Sequence, residues 1–107
     1  SDPGLRELEE WAVFLEIKRG QAKNLHRPVA EPVFLVGSSD QCDMVLGDRQ
    51  FPAIHFYLLT RHGETIVRTT SSQPELTING RPQHSSSAIC PGDRIRTGPY
   101  EFLIKAA

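Results

Sequence analysis

With 107 residues, 38% apolar and 23% charged, the chain has the makings of one domain with a packed core, which excludes a disordered segment and a second domain within these residues. Twelve Lys plus Arg against thirteen Asp plus Glu leave a net charge of -1, without the basic excess of a nucleic-acid binder. Apolar runs stop at five residues, far below the ~18 of a membrane span, and Cys42 and Cys90 are too few for a disulfide framework and lack metal-type spacing.

Residues 1–10 are acidic, lack the apolar stretch of a signal peptide, and read as an N-terminal extension or linker ahead of a domain over 11–105. Leu5 to Glu10 is the only helix-like stretch and is too short to be stable alone. From Trp11 to Ile17 apolar residues alternate, so Trp11, Val13, Leu15 and Ile17 share a face. Val33 to Val36 is a short apolar run ended by Gly37. Ile54 to Thr60 is β-branched and aromatic, and Arg61-His62-Gly63-Glu64 reads as a hairpin turn before Thr65 to Thr69. Asn79-Gly80 is the strongest short hairpin signal, joining Leu76–Ile78 to a brief strand at Arg81 to Gln83. Pro91-Gly92-Asp93 is another turn before Arg94 to Thr97, and Gly98-Pro99 leads into Tyr100 to Lys105, where Tyr100, Phe102 and Ile104 share a face. Residues 19–31 and 84–93 read as irregular connections. Short strands at turn-bounded spacing imply an all-β domain, a β-sandwich or barrel.

Four segments in this order resemble a forkhead-associated (FHA) domain, across roughly residues 11–105. Val36-Gly37-Ser38-Ser39-Asp40-Gln41-Cys42-Asp43-Met44-Val45-Leu46 is similar to the family's Gly-Arg strand, loop and following short strand. Phe51-Pro52-Ala53-Ile54-His55 lies where the family has hydrophobic-Ser-Arg-x-His, Thr77 to Pro82 falls on its second hairpin, and Ile89 to Gly98 on its Pro-Gly-Asp framing, closed by Tyr100 to Ile104. The resemblance implies a β-sandwich of two twisted sheets and a module that reads phosphothreonine peptides at a loop rim. It also implies that Gly37 and His55 brace the loops, with His55 buried and its ring nitrogens bonded to loop backbone.

The family's phosphate contacts are replaced. Ser38 stands where the family has its Arg, Pro52 where it has the phosphate-binding Ser, and Ala53 where it has the neighbouring Arg; Pro74 and Glu75 take the place of a peptide-contacting Asn-Gly. A phosphothreonine carries about -1.5 to -2 charges, and its capture calls for charge-assisted donors. A serine hydroxyl does not replace a guanidinium fork, and proline has no N–H to give. Arg49 is the candidate for a relocated anchor, with hydroxyls of Ser38, Ser39, Ser71 and Ser72 around it and Gln50 beside it. Phe51, next to Pro52, is an apolar anchor if it turns outward. Arg61, Arg81 and Arg94 fall on hairpins at the opposite end.

Catalysis has little to stand on: Cys42 and His55 could pair only if thiol and ring met, and the resemblance places them in separate structural roles. His26, His55, His62 and His84 lack zinc-type spacing, and no Gly-Lys-Ser/Thr phosphate loop occurs. The expectation is a cytoplasmic, non-enzymatic protein–protein interaction module, active in signalling and without conventional phosphothreonine binding. It uses neither metal nor cofactor, and binds neither nucleic acid nor membrane. As an isolated domain it is a monomer. Its partner is another protein or peptide, met at a rim of Ser38 to Gln41, Gly47 to Ala53 and Thr69 to Glu75, or alternatively on a sheet face. The alternatives are a phosphothreonine reader with contacts rearranged around Arg49 and a purely structural domain of a larger protein.

Overall fold

The structure, a computed structural model, describes residues 13–20, 25–29 and 31–106. The extension over residues 1–10 and the expected place of Trp11 lie outside the described residues. Eleven strands form among those described: β1 (Val13–Arg19), β2 (His26–Val29), β3 (Val33–Gly37), β4 (Met44–Val45), β5 (Phe56–Arg61), β6 (Glu64–Thr69), β7 (Leu76–Ile78), β8 (Arg81–Pro82), β9 (Ser86–Ile89), β10 (Arg94–Thr97) and β11 (Tyr100–Ala106). They pair into a six-stranded sheet, β2-β1-β11-β10-β7-β8, and a five-stranded sheet, β4-β3-β5-β6-β9. Only β3 and β4 run parallel; the other strand pairs are antiparallel.

Alternation decides which faces meet. Leu15 and Ile17 of β1 and Tyr100, Phe102 and Ile104 of β11 point inward from one sheet, and Phe34, Val36, Phe56, Leu58 and Val67 point inward from the other. Phe102 and Phe56 join the layers, with ring centroids 6.1 Å apart, and Phe102 stacks on Tyr100 at 5.7 Å.

The hairpins form where the sequence supplies residues that tolerate positive φ. His62 and Gly63 (φ 52° and 78°) turn β5 into β6, and Asn79 and Gly80 (52° and 82°) turn β7 into β8. At the Asn79 end, the side-chain amide donates to Asp93 while its oxygen accepts Arg94 N–H, tying two neighbouring turns together.

Three expectations need correction. β2 and β9 arise inside stretches read as irregular: they are edge strands that bury only Val29 and Ile89, so neither shows the alternation of a half-buried strand. β5 begins at Phe56 rather than Ile54, because the chain before it is a loop held by His55 N–H donating to Val36 O at 2.8 Å. The strand after Asn79-Gly80 stops at Pro82, and Gln83 N–H donates to Leu76 O.

Candidate functional site

The rim is built around Gly37, at the end of β3. A Cβ there would lie 2.2 Å from Ala53 O, so only glycine lets the loop 47–55 pass this close. The approach is fixed by main-chain bonds: Ser38 N–H donates to Pro52 O at 3.0 Å and Ser39 N–H to Ala53 O at 3.1 Å. Cys42 Sγ also donates to Ala53 O, at 3.1 Å, and burial raises its thiol pKa. The side chains of Cys42 and His55 therefore have different partners.

His55 is fully buried beneath this loop. Its Nε2 meets Thr97 Oγ1 at 2.7 Å, and its ring lies 5.1 Å from that of Phe51 and 5.8 Å from that of Phe56. This departs from the expectation of bonds to loop backbone: the ring partner is a side-chain hydroxyl of β10, and Nδ1 has no hydrogen-bond partner among the described residues. Burial alone pushes the His55 pKa down, so the ring is neutral. The main chain of His55 does the loop bracing, since its carbonyl accepts both Thr70 N–H at 3.1 Å and Thr70 Oγ1 at 3.0 Å. Thr70, which also reaches Ile54 O, is a brace that sequence reasoning did not single out. Its only signal was its place in a Thr-Thr-Ser-Ser run.

Ser38 and Arg49 come together, lining a surface cavity of about 420 Å³ with Val45, Leu46, Gly47 and Asp48. The Ser38 hydroxyl donates to Pro52 O at 3.1 Å, so its proton is directed into the loop. Arg49 is exposed and has no hydrogen bond or ion pair to a described residue. Asp48 is bonded instead to Gln50, through its backbone N–H at 3.0 Å and its side-chain amide at 2.7 Å, and these bonds lower the Asp48 pKa.

The other expected rim residues lie outside that cavity. Ser39 Oγ accepts Gln41 N–H, and Ser71 Oγ closes its own turn by donating to Gln73 O at 2.7 Å. Ser72 is exposed. Phe51, an anchor only if it turned outward, is turned in and only 3% exposed. It packs on His55 and Tyr100, and Gly98 leaves room for its ring, which would lie 2.8 Å from a Cβ at that position. The rim is polar, and its one aromatic belongs to the core.

This sandwich, with a glycine-pinned rim over a buried histidine, has the fold of an FHA domain. Solved structures share the fold. The FHA domain of a Chlamydia trachomatis protein matches with a TM-score of 0.81 at 17% identity, over 90% of this chain and 98% of that one. Mycobacterium tuberculosis EmbR, solved with a low-affinity phosphopeptide, matches at 0.81 and 17% over 90% of this chain, which spans only 24% of EmbR. The cytoplasmic domain of the T3SS sorting platform protein PscD from P. aeruginosa matches at 0.76 and 18%, over 88% of this chain and 79% of that one. No curated relative matches. The family model described as the inner membrane component of T3SS, cytoplasmic domain, matches residues 16–107, and the chain belongs to that family.

Proposed function

We propose that this chain is a non-enzymatic protein-interaction module on the cytoplasmic side of a secretion apparatus, and that it docks a partner at its loop rim without phosphothreonine capture. The interaction unit is residues 11–105, with 1–10 as a linker, and it acts as a monomer when isolated. The observation that carries this reading is the state of the positions that would face phosphate. Ser38 directs its only hydroxyl proton to Pro52 O, and Pro52 has no N–H. No guanidinium stands at Ser38 or Ala53, so a doubly charged group would meet one neutral hydroxyl already engaged. EmbR, which has this fold and was solved with a phosphopeptide, and PscD, a T3SS sorting platform protein, support an interaction role.

The test is an NMR titration of the isotope-labelled domain with pooled phosphothreonine peptides and their unphosphorylated twins. Equal shifts from both pools at Ser38, Gln50 and Ser71 are expected if the rim takes peptides; shifts confined to the phosphorylated pool would overturn the reading. Arg49 favours that second outcome, since it is exposed, unpaired among described residues and beside Ser38. In that case Arg49→Ala abolishes the phosphate-dependent shifts and leaves stability nearly unchanged.

A further inference from the structure

The outer face of the six-stranded sheet is unlike the rest of the molecule. Outward-pointing Glu101 of β11 is only 6% exposed, because three arginines converge on it. Arg96 Nε donates to Glu101 Oε1 at 3.1 Å, Arg94 Nη1 lies 3.5 Å from the same oxygen, and Arg19 Nε lies 3.6 Å from Oε2. A second carboxylate, Glu16 of β1, gathers Lys18 and Lys105 at 3.7 and 3.6 Å. Five cationic side chains thus surround two carboxylates on one face of a chain whose net charge is -1.

The placement of Arg19 depends on an irregularity in the sheet. Ile17 points into the core, so simple alternation would send Arg19 inward as well. The pairing of β1 with β11 slips between Ile17 and Arg19, and this bulge turns Arg19 to the outer face opposite Glu101. Because Arg19 and Arg96 approach Glu101 most closely through Nε, the two Nη groups of each make no hydrogen bond to a described residue. These are the paired donors that take a carboxylate two atoms at a time. The three guanidinium side chains are 48–68% exposed, yet anchored to one carboxylate on a rigid sheet.

We propose that this face is a second interface, separate from the rim, and that its partner is a carboxylate-rich segment of another protein. The charge calls for an anion, and the floor between the charges selects a protein. Half-buried Phe14 pairs across from Lys105, and half-buried Leu103 across from both Glu16 and Arg94. An apolar centre ringed by cations is interface anatomy, and Phe14 and Leu103 are half-buried in the sheet rather than projecting from it as membrane-inserting anchors do. The opposite outer face, where Val33, Leu59, Ile66 and Ala88 form one cross-strand row, carries Arg61 and Arg68 but no ion-pair cluster among the described residues, and serves as the internal control.

The test uses a short oligo-glutamate peptide, an oligo-glutamine peptide of equal length, and phosphatidylserine vesicles, each titrated into the labelled chain. Oligo-glutamate should shift the amides of Arg19, Arg94, Arg96 and Leu103, leave Ser38, Arg49 and Ser71 in place, and weaken as salt rises. Oligo-glutamine should shift none of them. The Arg19→Gln/Arg94→Gln variant, which leaves Arg96 on Glu101 and so protects the fold, should bind at least about tenfold more weakly. Arg61→Gln/Arg68→Gln, away from this face, should bind as the parent does. No shift with oligo-glutamate, undiminished binding by Arg19→Gln/Arg94→Gln, or binding to vesicles alone would each overturn the proposal.

Discussion

His55 shows how one buried residue can hold a rim from beneath. It is wholly enclosed, and its ring faces Thr97, Phe51 and Phe56, none of which carries a charge. Protonating it would place a cation in an apolar pocket with one hydroxyl for company, which is why burial holds its pKa below the ordinary 6.5. In the unfolded chain the ring takes up a proton near pH 6.5, while in the folded protein it resists. Folding stability linked to His55 is therefore full above that pH and falls as the solution becomes more acidic. Glu16 and Glu101 have folded pKa values below their ordinary 4.5, so their loss belongs to a lower pH window. His55→Gln should lower stability by about 1–3 kcal/mol at neutral pH, through the lost Thr97 bond and imperfect packing. It should also flatten the stability-versus-pH curve just below pH 6.5. Thermal unfolding midpoints of parent and variant across that range check both, and parallel curves would remove His55 from the account. That His55 is buried was legible from its place in the motif. Its partner was not, since Thr97 lies 42 residues away and nothing local in sequence joins them.

At the scale of elements, two glycines in turns separate two causes of the same requirement. Gly80 has φ 82° with open space where a Cβ would go, whereas Gly98 has φ 52° and the Phe51 ring 2.8 Å from that point. Gly80→Ala should cost only the left-handed strain of an alanine, about 1–2 kcal/mol. Gly98→Ala carries a comparable strain and must also displace the ring that covers His55, so it should cost more and shift the His55 and Thr97 resonances. Urea midpoints for the two variants decide it; equal losses would mean that Phe51 yields freely. Turns of this kind were easy to read, because Asn79-Gly80 and His62-Gly63 announce positive φ in their residue types. The strands β2 and β9 were not, since an edge strand with one buried residue has no period to detect. The bulge in β1 was equally hidden: Lys18-Arg19 looks like an ordinary polar strand end, and only pairing with β11 reveals the slip.

Across the whole molecule, the apolar alternation and the proposed docking surfaces carry different amounts of sequence signal. Tyr100, Phe102 and Ile104 declare a buried face by spacing alone, and the structure buries all three. Phe51 does not, because loop residues have no period, and whether such a ring turns in or out depends on space left by Gly98 on another strand. The Glu101 cluster draws on β1, β10 and β11, so its existence needs the assembled sheet. Phe102 is where the two layers depend on each other, through Phe56 on one side and Tyr100 on its own. Phe102→Ala removes a fully buried ring from between the sheets, a loss of about 3–5 kcal/mol. That is a large fraction of the ~5–15 kcal/mol that holds a domain of this size together. Both sheets should then lose stability as one unit, with Phe14 on the outer face unable to compensate for the missing interlayer contact. Native-state hydrogen exchange of amides in β1 and in β5 follows the two layers separately. Equal loss of protection in both is the expected result, because neither sheet has another face on which to bury its inward residues. Loss confined to β1, β10 and β11 would mean that the five-stranded layer holds by itself, and that the sandwich is less cooperative than its shared aromatic core implies.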